Sequence, residues 1–211
     1  MDIALKIHTT YTTPNETKAK NHKPSNTIAH TQLLEGCIRQ ERRSQKRLYE
    51  LYYGCMLSVC MRYTNNYEEA RDVLHEGFMK VFKNIARYKP SHSLNSWIKR
   101  IMINTAIDHY RKNKKHQSNV DLEYAAHETD VNIHSVLTKL SAEEILKLVQ
   151  KLSPAYRTVF NLYVIEGYNH REIAERLNIS EGTSKSNLAK ARAKLRGMIE
   201  KELPDYTHYF K

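Results

Sequence analysis

Positive charge set at helical spacing beside small polar residues can hold a nucleic-acid backbone, and the clearest case lies between Asn169 and Arg196, NHREIAERLNISEGTSKSNLAKARAKLR. Lys185, Lys190, Arg192, Lys194 and Arg196 fall after Ser180, where basic residues far outnumber acidic ones. Lysine and arginine there would meet phosphates. Two helices must position them. Asn169 can cap the first, with Glu172 three residues later in the capping-box spacing. Ile173, Ala174 and Leu177 give that helix one apolar face. Asn178 tolerates the left-handed conformation of a helix stop. Ser180 can cap a second helix with Leu188, Ala191, Leu195 and Ile199 on its inner side. A short helix, a tight turn and a capped basic helix is the arrangement that reads a major groove. The competing reading is an ordinary surface hairpin of helices.

Two other constellations lie in the first half. The segment LNSWIKRIMINTAIDHYRKNKK, Leu94 to Lys115, interleaves Lys99, Arg100, Arg111, Lys112, Lys114 and Lys115 with Trp97 and Tyr110, and Tyr88 lies just upstream. Charge can follow a single strand while rings stack on its bases, at ~1–3 kcal/mol per base. Trp97 equally suits the role of core anchor for its helix. The segment RDVLHEGFMKVF, Arg71 to Phe82, sets Asp72 and Glu76 on one helix face and Phe78 and Phe82 on another. Acid beside aromatic fits a basic partner surface with an apolar centre. Spacing alone favours the simpler reading, in which the rings are core and the acids are solvated.

The whole chain agrees with a polyanionic partner. Its 211 residues carry 34 Lys and Arg against 23 Asp and Glu, a formal charge of +11. The length suffices for two small domains. No run approaches the ~20 apolar residues that would cross a bilayer, and no secretory signal is visible, so a cytoplasmic place and no membrane insertion are expected. Three cysteines, Cys37, Cys55 and Cys60, lack CxxC spacing. The eleven histidines form no ligand cluster. Neither a metal nor a cofactor is expected.

Scarce Gly and Pro, with 3.6-residue periodicity, predict an all-α protein: two small helical domains joined by a flexible linker, the second containing the helix-turn-helix. Residues 1–29 are expected to be a disordered extension, 30–115 the first domain, 116–138 the linker, 139–203 the second domain and 204–211 a tail. In the first domain, apolar stripes run through Leu33, Leu34 and Ile38, then Leu48, Leu51, Tyr52, Cys55 and Val59, then a helix from about Tyr67 to Arg87 and another from about Ser93 to Lys112. Ser153-Pro154 starts a helix that stops near Gly167.

Four pieces in this order, LLEGCIRQ, EEARDVLHEGFMKVFKNI, SWIKRIMINTAIDHYRK and LSPAYRTVFNLYVIEGYNHREIAERLNISEGTSKSNLAKARAKLR, with an acidic stretch before the last, resemble an extracytoplasmic-function (ECF) sigma factor of bacterial RNA polymerase, in the sigma-70 family. The resemblance implies that the first domain binds the clamp of the polymerase's largest subunit through Asp72, Glu76, Phe78 and Phe82, with the flap as a further contact. It implies a −10 element opened and read by the loop Tyr88 to Leu94, including Ser91, and by Asn95, Ser96, Trp97, Arg100, Asn104 and Arg111. Extruding a base costs a few kcal/mol, which a pocket and a basic helix must recover. The −35 element would be read as duplex through Glu181, Gly182, Thr183, Lys185, Ser186, Asn187, Lys190 and Arg192. Promoter DNA, core RNA polymerase and an anti-sigma factor are the implied partners. Two positions depart from the family pattern: His75 stands where Gln is usual, and Ser184 where many members carry an aliphatic residue.

A conventional helix-turn-helix regulator is the alternative. It accounts for the second domain and leaves the acidic-aromatic helix and the Trp97 helix without a task. A nuclease lacks a carboxylate cluster, a His pair or a glycine loop to work with.

Overall fold

The computed structural model describes residues 24–91, 93–116, 137 and 140–206; among them every regular element is helical. The expected N-terminal extension up to residue 23, nearly all of the expected linker and the last five residues lie outside the described part. The described residues divide into two units.

In the first unit, α1 spans Pro24–Ile38. Its start corrects the expectation of an unstructured stretch to residue 29. Proline at a first helical position has no amide proton to lose there and a preset φ. Gln40, at φ 60°, turns the chain into α2, Arg42–Met61. Cys37 is fully buried in α1, while Ile38, expected on the apolar stripe, is 49% exposed at the helix end. Helix α2 buries Leu48, Tyr52, Met56, Val59 and Cys60. Helix α3, Tyr67–Asn84, has Glu68 and Glu69 in its first turn and Lys83 in its last, in keeping with its dipole. It buries Ala70, Val73, Leu74, Gly77, Phe78 and Val81. One tighter turn, Ile85–Arg87, and an extended Tyr88 end it. Helix α4, Leu94–His116, buries Leu94, Ile98, Met102 and Ile103. Gly77 of α3 faces Met102 of α4: a Cβ on it would sit 2.2 Å from Met102 Sδ.

The second unit holds the described residues from Ile107 on. Helix α5, Ala142–Gln150, opens with a capping box in which Ser141 Oγ accepts from the Glu144 amide and the Glu144 carboxylate accepts from the Ser141 amide. Leu137, at the end of the expected linker, is buried with Leu140. Helix α6, Pro154–Phe160, runs on into a wider π turn, Asn161–Ile165, and the chain turns at Gly167 with φ 76°. Helices α7, His170–Leu177, and α8, Glu181–Glu202, complete the unit. Its core includes Ile145, Val159, Phe160, Leu162, Ile173, Leu188, Leu195 and Ile199.

This unit also contains Arg62–Asn66, which sequence reading assigned to the first domain. Arg62 forms a buried ion pair with Glu166 at 3.1 Å. Arg157, fully buried, donates to Asn65 Oδ1 and to the Gln150 carbonyl. Asn161 donates to the Arg62 carbonyl at 2.5 Å. Buried polar groups are tolerable only with such partners. The π turn begins at the buried Asn161, whose Nδ2 makes the bond to Arg62 while its Oδ1 has no hydrogen-bond partner among the described residues.

Candidate nucleic-acid interface

The helix-turn-helix forms as its caps dictate. Asn169 Oδ1 accepts from the Glu172 amide at 2.9 Å, and the Glu172 carboxylate accepts from the Asn169 amide at 2.8 Å. Asn178 adopts the left-handed conformation at φ 52°. Ser180 Oγ accepts from the Thr183 amide at 3.0 Å, which fixes the start of α8. Leu188, Ala191, Leu195 and Ile199 are buried. Of the residues expected to read duplex DNA, Glu181, Gly182, Thr183, Lys185 and Ser186 are exposed around the first turns of α8. Asn187, Lys190 and Arg192 are half-buried. This end of α8 is a polar, solvent-facing helix start, suited to base edges and phosphates.

Arg192 is less free than its sequence position implies. Its guanidinium lies 5.9 Å from the Tyr163 ring centre. Its Nε is buried without a hydrogen-bond partner among the described residues. Tyr163 stacks on His170 with ring centres 4.6 Å apart. His170 Nδ1 lies 2.9 Å from Ser184 Oγ, and Ser184 is fully buried. Burial, then the charges of Lys185 and Arg192, hold the His170 pKa below its ordinary value, against an opposing pull from Glu181. Of these residues the sequence singled out Ser184, and it gave His170 and Tyr163 no role at the site. The signal available was a hydroxyl on the apolar side of α8, which needs a partner.

In the first unit, Ser96, Arg100 and Asn104 recur every four residues along α4, and all three are exposed. Tyr88 and Trp97 are half-buried and meet each other with ring centres 5.6 Å apart. Ser91 is exposed in the loop before α4. Leu94 and Asn95 are each only 4% exposed, which corrects their expected place on a strand-binding surface. Leu94 starts the buried stripe of α4, and Asn95 Oδ1 lies 4.0 Å from Cys55 Sγ. Arg111 falls in the second unit, where it donates to the Arg176 carbonyl and sits 3.8 Å from Asp108.

On α3, Asp72 is exposed and Glu76 half-exposed, with Glu76 3.0 Å from Lys80. Phe78 is 2% exposed, its ring 4.7 Å from that of Tyr49 and 5.9 Å from that of Phe82. It is a core residue, the simpler of the two readings its spacing allowed. Phe82 is half-buried. Met79 is 70% exposed and shares the helical face of Asp72, Glu76 and Lys83. Sequence reading passed over Met79 because aromatic rings drew the inference. His75 is exposed, and its Nε2 lies 3.1 Å from the Tyr49 hydroxyl. Among the described residues no group of three His, Cys, Asp or Glu could hold a metal ion, and no helix is long and apolar enough to cross a membrane.

Two family models match the chain: Sigma-70 region 2 over residues 48–116 and Sigma-70, region 4 over residues 142–195. The ECF RNA polymerase sigma factor SigW of Bacillus subtilis is 30% identical over 167 residues, covering 72% of this chain and 87% of SigW. The chain belongs to the ECF sigma factor family. It is an RNA polymerase sigma factor, whose partners are core polymerase and promoter DNA. The RNA polymerase sigma-H factor of Pseudomonas aeruginosa is 26% identical over 171 residues, covering 76% of this sigma factor and 89% of its relative. Among solved structures, the sigma factor RpoE in complex with the anti-sigma factor NepR from Bartonella quintana matches with a TM-score of 0.43 and 16% identity, over 74% of this chain and 97% of that one. In this sigma factor, region 2 takes in most of α2 with α3 and α4, and region 4 takes in α5, α6, α7 and most of α8.

Proposed function

We propose a division of labour among these surfaces. The exposed start of α8 reads the −35 element as duplex through Glu181, Gly182, Thr183, Lys185, Ser186 and Asn187, with Lys190 and Arg192 nearer the phosphates. The loop from Tyr88 and the outer face of α4, with Ser91, Ser96, Trp97, Arg100 and Asn104, opens and holds the −10 element. Asp72, Glu76 and the exposed Met79 dock on the polymerase clamp, with Phe82 at the margin, and region 4 meets the flap. The single observation that carries this reading is α8 itself, capped at Ser180, with Thr183, Lys185 and Ser186 exposed near its start and Leu188, Ala191, Leu195 and Ile199 buried on its inner side. The protein performs no catalysis of its own, works in the cytoplasm with polymerase and is held inactive by an anti-sigma factor. Run-off transcription with the cognate core enzyme tests the reading. Promoter-dependent product should appear only when this chain is added; no product under any condition refutes it. The observation that disfavours a stand-alone regulator is the outer face of α3, where the exposed Met79 sits among Asp72, Glu76 and Lys83, which such a regulator does not use.

A further inference from the structure

We propose that His170 is a positioning residue for −35 readout, the link in a strap that fixes how α8 sits on the rest of region 4. The proposal rests on the assignment of α8 to duplex reading. Four side chains carry it. Ser184, on the first full turn of α8, is fully buried with its hydroxyl 2.9 Å from His170 Nδ1. His170, the first residue of α7, stacks against Tyr163 of the π turn at an interplanar angle of 25°. Tyr163 in turn lies under the guanidinium of Arg192, two turns further along α8. The strap thus leaves α8 at Ser184, crosses α7 and the π turn, and returns to α8 at Arg192.

A buried aliphatic residue at position 184 would leave α8 free to roll slightly on its apolar stripe, because dispersion contacts are non-directional. A hydrogen bond to a buried hydroxyl has a narrow range of length and angle, so the Ser184 contact with the half-buried His170 admits one setting of the helix. The exposed residues on either side, Thr183 and Lys185, take their direction toward DNA from that setting. The neutral imidazole suits the place. It can accept from the Ser184 hydroxyl at Nδ1, and the neighbouring Lys185 and Arg192 disfavour a positive ring. His170 itself touches no base in this scheme; it acts through Ser184.

The test uses the full chain with core polymerase and a promoter at which this holoenzyme initiates, with its −35 element intact or scrambled. The readout is the ratio of initiation on the two templates, which a fall in the folded fraction moves equally in numerator and denominator. Wild type should favour the intact element. His170→Ala should reduce the ratio about fivefold, the size of one net hydrogen bond, with the salt dependence of binding unchanged. Ser184→Ala should do the same, and the double variant should lose no more than either single one. Pairing His170→Leu with Ser184→Val, which replaces the polar contact by an apolar one, should restore stability without restoring the full ratio. An unchanged ratio in His170→Ala, or losses that multiply in the double variant, overturns the strap. A wild-type ratio of one instead overturns the assignment of α8 as the reading helix, and the strap's role with it.

Discussion

The rings of Tyr88 and Trp97 meet at 5.6 Å with their planes tilted by 55°, tying the extended residue after α3 to the first turn of α4. Tilted aromatic pairs contribute about 0.5–1.5 kcal/mol beyond the area they bury. Both rings are half-buried, so one part of each anchors the loop and another part faces solvent. The two readings of Trp97 that the sequence left open are compatible in this geometry.

Trp97→Ala should therefore impair promoter opening beyond any loss of folding. On a duplex template the open complex should form poorly, and on a template already melted across the −10 element the defect should largely disappear. Permanganate footprinting on the two templates reads this directly. Equal defects on both, after correction for the melting temperature of the variant, would refute a role in melting.

Phe78 and Met79 are neighbours in sequence and opposites in exposure, at 2% and 70%. Phe78→Ala should cost about 3–5 kcal/mol of stability, as large-to-small changes in a core do, with any loss of polymerase binding traceable to unfolding. Met79→Ser should leave the melting temperature within a degree or two and weaken association with core polymerase about tenfold, since an exposed apolar side chain among charged neighbours is the kind of group that anchors an interface. Denaturant unfolding and a polymerase pull-down on the same samples separate the two effects; wild-type affinity in Met79→Ser removes it from the docking face.

The sequence carried the caps, turns and periodic apolar faces because each is a local pattern. Asn169, Glu172, Asn178 and Ser180 behave as their types require. What it carried poorly were decisions made by tertiary packing. On α3 the spacing favoured Phe78 as core, where it lies, while the resemblance implied a place for it at the polymerase; the exposed Met79 beside it drew no inference. Leu94 and Asn95 stand beside exposed Ser96, and no local feature distinguishes the buried pair from the exposed residue. Arg62, Arg157 and Asn161 are buried against the usual preference of their types, and their partners lie about a hundred residues away for Arg62 and Asn161. Long-range pairing of that kind has no periodicity to betray it.

Lys190 is offered as a phosphate contact. Alanine there should weaken promoter binding to a similar degree across sequences and reduce the slope of log affinity against log salt by about one unit. Binding titrations between 50 and 300 mM salt, ~5 points per variant, measure that slope. A loss confined to one promoter sequence, with the slope unchanged, would move the residue concerned from backbone holding to base reading.

Gly77 sits where α3 meets α4, and a methyl there collides with Met102 Sδ. Gly-to-Ala in a helix ordinarily gains up to about 1 kcal/mol. Here Met102 is fully buried and has little room to withdraw, so overpacking at about 1–3 kcal/mol should prevail. Gly77→Ala is expected to lower the melting temperature, and adding Met102→Val should recover most of the loss. A Gly77→Ala protein more stable than wild type would show that the thioether moves aside freely.

His170 gives region 4 a pH dependence whose sign follows from its surroundings. Its pKa in the folded chain lies below the ordinary 6.5, first because the ring is partly desolvated, then because Lys185 and Arg192 repel a positive charge; Glu181 opposes them. Below that ordinary value the unfolded chain binds a proton that the folded chain resists, so stability rises with pH in this window. The His170 contribution is complete above about pH 6.5 and declines as the pH falls through that value toward the folded pKa. His170→Gln keeps a group able to bond Ser184 and removes the titration. Thermal unfolding of wild type and His170→Gln across this range should show the variant losing less stability on acidification than wild type does. Every other titratable group is common to the two proteins, so the difference between the two curves is the quantity that matters. A difference that stays constant, or that turns in favour of wild type as the solution becomes more acidic, would mean that the imidazole is protonated in place, and that the neutral ring assumed in the contact with Ser184 is wrong.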